Sequence, residues 1–159
     1  VFNQLLVKLG LGKVHWLTGH GMLSIILTSI LKAPGGCIII YLATLASIPE
    51  TLLEAARIDG AGPVKSWWHI TVPLLKPTTL FLVITTTISS FQVFGQVLIL
   101  TNGGPGYDTT VLVYQIYTSA FRDFEFGLSS AMSLALFVLI MGISVAQYRW
   151  FRGETEFAA

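Results

Sequence analysis

Apolar positions run through this chain in three long blocks, separated by polar stretches that carry most of its charge. The blocks cover residues 22–46, 78–100 and 127–150. Each supplies the roughly 20 predominantly apolar residues that a helix needs to cross a hydrocarbon core. The predicted fold is therefore all-α, a polytopic membrane helix bundle with about three transmembrane helices. Residues 1–21 and 101–126 read as extramembrane loops, 47–77 as a polar arm and 151–159 as a short tail.

The arm is the most informative of the polar stretches. From Ile48 to Pro73 it reads IPETLLEAARIDGAGPVKSWWHITVP, a polar island between two membrane-length segments. Ser47-Ile48-Pro49-Glu50 fits a capping box, in which the serine hydroxyl and the glutamate carboxylate close the first turn reciprocally. Pro49 is tolerated in that first turn, where its missing N–H would be orphaned anyway. Leu52, Leu53, Ala55, Ala56 and Ile58 suit a helix, and Gly60 is a natural left-handed residue just beyond its end near Asp59. Gly62-Pro63 restarts the chain, a second short helix is expected over Val64 to His69, and Ile70 to Pro73 leads back to the membrane. Glu54, Arg57 and Asp59 sit on the arm's surface.

Within the first span, Pro34 removes a backbone donor and should kink the helix, while Gly35 and Gly36 allow close helix contact or local unwinding. Ser24, Thr28, Lys32 and Gly36 recur every four residues, so one face carries them and should point inward. Lys32 near mid-membrane is costly unless it meets protein or water. The second span has no charge, and Thr85, Ser89, Gln92 and Gln96 draw a polar stripe along one face. That stripe has two readings: hydrogen bonds to neighbouring helices, or the lining of a path for a polar solute. After it, NGGPG forces a sharp turn, and Thr110 to Phe121 reads as a short amphipathic helix at the interface. Trp16 before the first span, and Tyr148, Arg149, Trp150 and Arg152 after the third, are placed as interfacial anchors.

Composition narrows the classes of function. Of 159 residues, 53% are hydrophobic and only 11% charged, with mean hydropathy +0.75, where soluble domains carry about 25% charge. A net charge of +1 with no Lys/Arg cluster gives no reason to propose nucleic acid. The single cysteine, Cys37, has no second thiol to pair or share a metal with. His15 and His20 fall in the first loop and His69 in the arm, on opposite sides of the membrane, and no nucleophile is set beside a base, so neither a metal site nor a catalytic residue nor a cofactor is expected. Loop charge decides orientation: Arg57, Lys65, Lys76, Arg149 and Arg152 outnumber Lys8, Lys13 and Arg122. That bias places the arm and the C-terminus in the cytoplasm. The chain opens on Val1 with no signal-peptide pattern, and a fragment is the expected reading.

Glu54-Ala55-Ala56, three residues, Gly60, nine residues, then Ile70-Thr71-Val72-Pro73 resembles the EAA loop of ABC importer permeases, EAA-x3-G-x9-I-x-L-P, with Val72 in place of leucine. EAARIDGA, ITVPLLKPT, LTNGGPGYDTTVLVYQIYTSAF with FGLSSA, and the opening FNQLLVKLGLGKVHWL are similar to the sugar-type branch of the binding-protein-dependent permeases. The resemblance covers nearly the whole chain and implies the C-terminal half of a six-span fold in a bacterial-type inner membrane. It implies that the arm is a coupling helix docking in a groove of a cytoplasmic ATP-binding-cassette ATPase, with Glu54, Ala55, Ala56, Asp59 and Gly60 at the contact. A second permease subunit, an external solute-binding protein and membrane lipid are the other implied partners. ATP hydrolysis would lie on the separate ATPase, since no GxxxxGK[ST] pattern occurs here. Lys32, Thr85, Ser89, Gln92 and Gln96 are then the candidate solute pathway. The alternative is a fragment of a secondary transporter or channel without an ATPase partner, with Lys32 as its ion-coupling charge.

Overall fold

Chain elements follow one another as helices joined by turns in the computed structural model, which describes residue 4, residues 16–17 and residues 19–155. Most of the opening loop, with Lys8, Lys13 and His15, and the Arg152 side chain lie outside the described residues. Helix α1 covers Gly21–Ala46, α2 Glu50–Ile58 and α3 Pro63–Ser66. A π turn, Trp67–Thr71, joins α3 to α4, Val72–Phe91. Then come α5, Gly95–Leu100, α6, Leu112–Phe121, and α7, Phe126–Thr155. Among the described residues three helical stretches are long and apolar enough to cross a membrane: Gly21–Ala46, Pro63–Leu100 and Phe126–Phe151.

Several expectations about these elements change. Helix α1 continues through Pro34, which lies inside it, and a Cβ on Gly35 or Gly36 would meet nothing within 4 Å. Neither unwinding nor close packing is found there among the described residues. The face of Thr28, Lys32 and Gly36 is exposed, with Ser24 half-buried; the covered line is instead Gly21, Ile25 and Ser29. Periodicity identified a polar stripe correctly but could not say which stripe this chain covers. Ile70 to Pro73, expected to lead back to the membrane after the second short helix, does so as helix: α3, the π turn and α4 run into one another without a break.

Two compact units divide the chain. One takes α1 up to Lys32 with residues 92–137; the other takes residues 33–91 and α7 from Val138. In the first, Ile25, Val97 and Tyr114 form the buried centre, with Val93, Phe94, Leu98, Leu100 and Val111 packed around it. The turn after α5 is built on left-handed residues, Asn102 at φ 52° and Gly103 at φ 82°. Tyr114 Oη lies 2.8 Å from the Asn102 carbonyl and 3.0 Å from its Oδ1, which Arg122 Nη2 also donates to at 3.0 Å. Thr109 is fully buried and its hydroxyl reaches Thr101 Oγ1 at 2.7 Å and the Gly104 carbonyl at 2.9 Å. Gly21 packs on this turn: a Cβ there would sit 2.9 Å from Thr109 Cγ2.

The second unit is tied by polar pairs between helices. Tyr41 Oη donates to Thr79 Oγ1 at 3.0 Å, Thr44 and Thr78 hydroxyls meet at 3.0 Å, and Gln147 Nε2 donates to Thr87 Oγ1 at 2.9 Å. Lipid tails are as apolar as leucine, so apolar burial does not drive helices together inside a bilayer; packing and such hydrogen bonds do, at about 0.6 kcal/mol each.

Candidate functional site

The arm helix α2 owes its boundaries to residues at both ends, though not in the way its N-terminus suggested. Pro49 is the N-cap, extended at φ −61° and ψ 129°, and no side chain caps the helix. The Ser47 hydroxyl donates to the Thr44 carbonyl at 2.7 Å instead, closing α1, so the capping box does not form. The helix begins two residues later than the box requires: Pro49 is the cap, its carbonyl accepts from Leu52 N–H at 3.2 Å, and Glu50 is the first helical residue rather than the third. Glu50 in the first turn and Arg57 in the last oppose the helix dipole favourably.

The C-terminus forms as expected. Ala61 N–H donates to the Ala56 carbonyl at 2.9 Å and Gly60 N–H to the Arg57 carbonyl at 3.1 Å. These two bonds are the Schellman pair, which needs a left-handed residue at the position after the cap. Gly60 supplies it at φ 75°. Ala56 is buried and anchors the helix, while Glu54, Ala55, Asp59 and Gly60 are exposed. Glu54, Ala55, Asp59 and Gly60 thus lie on the open side and the turn that follows, and Ala56 does not. Ile58, 87% exposed, stands beside them. Sequence reasoning passed over it as a helix-compatible residue. Its signal was phase: Leu53 and Ala56 share a face that Ile58, five positions after Leu53, leaves.

The candidate solute residues separate into two groups. Helix α4 ends at Phe91 and α5 starts at Gly95, so residues 92–94 break the helix and no common face joins Thr85 and Ser89 to Gln92 and Gln96. The charge-free run from Thr78 to Leu100 had suggested one uninterrupted helix; Gly95 was the overlooked punctuation. The unwound residues let Val97 enter the buried centre of the first unit, where it is fully enclosed. Thr85 donates to the Phe81 carbonyl at 2.8 Å and Ser89 to the Thr85 carbonyl at 2.9 Å. Both hydroxyl protons are therefore spent on their own helix, which leaves oxygens able to accept. Ser29 Oγ lies 2.7 Å from Gln96 Oε1 and 2.8 Å from the Ile25 carbonyl, and its single proton serves one at a time. Gln92 and Lys32 are exposed. On α7, Ser144 Oγ and Gln147 Oε1 are buried without a hydrogen-bond partner. Among the described residues no cluster of His, Cys, Asp or Glu could hold a metal ion.

An exposed, glycine-terminated arm set between two spans is the geometry in hand when the chain is compared with known proteins. It is 35% identical over 159 residues to the sn-glycerol-3-phosphate transport system permease protein UgpA of Yersinia pseudotuberculosis, covering 99% of this chain and 54% of that protein. It is 36% identical over 160 residues to the probable ABC transporter permease protein YurN of Bacillus subtilis, covering 98% and 55%. A Rhizobium meliloti UgpA is 37% identical over 141 residues, covering 86% and 48%. The chain spans about half the length of the curated relatives it matches. The model of the binding-protein-dependent transport system inner membrane component matches residues 2–152. With nearly its whole length inside that match, the chain belongs to the binding-protein-dependent transport system inner membrane component family.

Proposed function

We propose that this chain is part of the membrane-spanning permease subunit of an ATP-binding-cassette importer that translocates a sugar or a related polar solute, such as a glycerol phosphate. The observation that carries the reading is the arm: Glu54, Ala55, Asp59 and Gly60 exposed on a short helix and its Schellman turn, between two membrane-length stretches. Such a helix offers a charge at Glu54 and a small residue at Ala55 for close approach, and it is too polar to lie in lipid. A cytoplasmic ATPase subunit docks on it, and closure of the ATPase pair moves the spans through it. The loop charges favour a cytoplasmic arm and C-terminus. A second permease subunit and an external solute-binding protein complete the assembly, and the permease itself hydrolyses no ATP. Lys32, Thr85, Ser89, Gln92 and Gln96 remain the proposed solute contacts, in two groups rather than one stripe.

The test is uptake in membrane vesicles carrying the intact transporter. Glu54→Lys reverses the charge offered to the partner, and we expect ATP-dependent uptake to fall by roughly tenfold or more, with ATPase co-purification weakened in parallel. Uptake that survives this change, or that follows a proton gradient and ignores ATP depletion, would assign the arm to a connector of a secondary transporter.

A further inference from the structure

The π turn at Trp67–Thr71 stands where the arm becomes a span, and its cause is in the sequence. Pro73 has no N–H, and in an α-helix its ring would collide with the carbonyl four residues earlier, that of His69. Widening the preceding turn removes the collision: Val72 N–H donates five residues back, to the Trp67 carbonyl. Pro77 repeats the defect one turn on, inside α4, leaving the Pro73 carbonyl without its helical donor. Two donors are thus missing from consecutive turns at the root of the span.

The two sides of this joint differ. Trp67 and Trp68 are 45% and 63% exposed and His69 is exposed, so the outer side is largely open. Thr71 and Leu75 are buried on the inner side and provide a fulcrum. Towards the arm, the His69 ring pins the helix: Nδ1, carrying its proton, donates to the Lys65 carbonyl at 3.0 Å. We propose that Trp67–Thr71 is a hinge at which the arm swings relative to α4, by flexing of the widened turn. Pro73 and Pro77 leave two consecutive turns without a backbone donor, so the joint has fewer helical hydrogen bonds to strain and can change its pitch without melting either helix. The functional meaning of this hinge rests on the reading of the arm as the ATPase-docking element, but its mechanics do not.

Spin labels at Arg57→Cys on α2 and Phe81→Cys on α4, with Cys37→Ser, would report the arm–span distance in the intact permease in nanodiscs. Pro73→Ala restores the donor and removes the ring collision, and Pro73→Ala with Pro77→Ala restores both donors; both variants should settle the joint into plain α-helix. We expect a broad distance distribution in the parent and one narrowed by roughly half in each variant. A parent distribution as narrow as that of both variants would overturn the hinge. Adding the ATPase with and without ATP then tests the docking reading alone: a hinge that is present while nucleotide leaves the distance unmoved would count against the coupling role of the arm.

Discussion

Gly60 allows the energetics of the arm to be separated from its contacts. At φ 75° the residue lies in the left-handed region, and a Cβ built there meets nothing within 4 Å. Steric overlap with neighbours is therefore nil, and the cost of a side chain is that of the backbone alone. For an L-residue such as alanine this is about 1–2 kcal/mol, whereas asparagine visits the region more easily. Elsewhere in a helix Gly→Ala would stabilise, so the sign itself is diagnostic. Strain at this point opposes the Ala61–Ala56 and Gly60–Arg57 bonds and frays the last turn of α2, which presents Ile58 and Asp59. If docking requires that turn, a loss of 1–2 kcal/mol weakens ATPase affinity by about 5- to 30-fold. Binding of the purified ATPase subunit to permease in nanodiscs measures this directly. Gly60→Ala should fall in that range and Gly60→Asn within about threefold of the parent. Equal losses for both variants would refute the backbone explanation and point to the partner packing against the glycine itself. An unaffected alanine variant would show that the turn is not part of the docked surface.

Other substitutions probe the two units by thermal unfolding in detergent. Gly21→Ala drives a Cβ to 2.9 Å from Thr109 Cγ2; it should destabilise by about 1–2 kcal/mol after its helix-propensity gain, and a raised Tm would contradict the packing. Tyr114→Phe removes the hydroxyl that holds Asn102 and should cost about 1–3 kcal/mol, read as a lowered Tm with uptake following it. Thr87→Val removes the partner of the half-buried Gln147 amide, costing about 0.6–1.7 kcal/mol, while the double change with Gln147→Leu should recover most of it because the amide is then gone as well. A double variant as unstable as Thr87→Val alone would mean that Gln147 contributes through its shape.

Three spans, an arm between the first two, and the arm's end at Gly60 were determined by the sequence alone. The reasons are local. A helix crosses lipid only with some 20 apolar residues, and a left-handed turn favours a residue without a Cβ. The motif around Glu54 and Gly60 is likewise contiguous in the chain, and it led to the same family as the comparison with known proteins. Tertiary structure decided what depends on neighbours. Ser47 sits at the end of α1, where its hydroxyl donates to the Thr44 carbonyl, and the arm helix takes Pro49 as its cap instead. Four polar residues at helical spacing would share a face only if the helix continued, and the entry of Val97 into a buried centre with Ile25 and Tyr114 breaks it at residues 92–94. The side of α1 that packs is that of Ile25 and Ser29, because those residues meet the chain that follows the break. Ile70 to Pro73 led back to the membrane in the sequence, but only the folded joint shows the widened turn that carries the helix past Pro73.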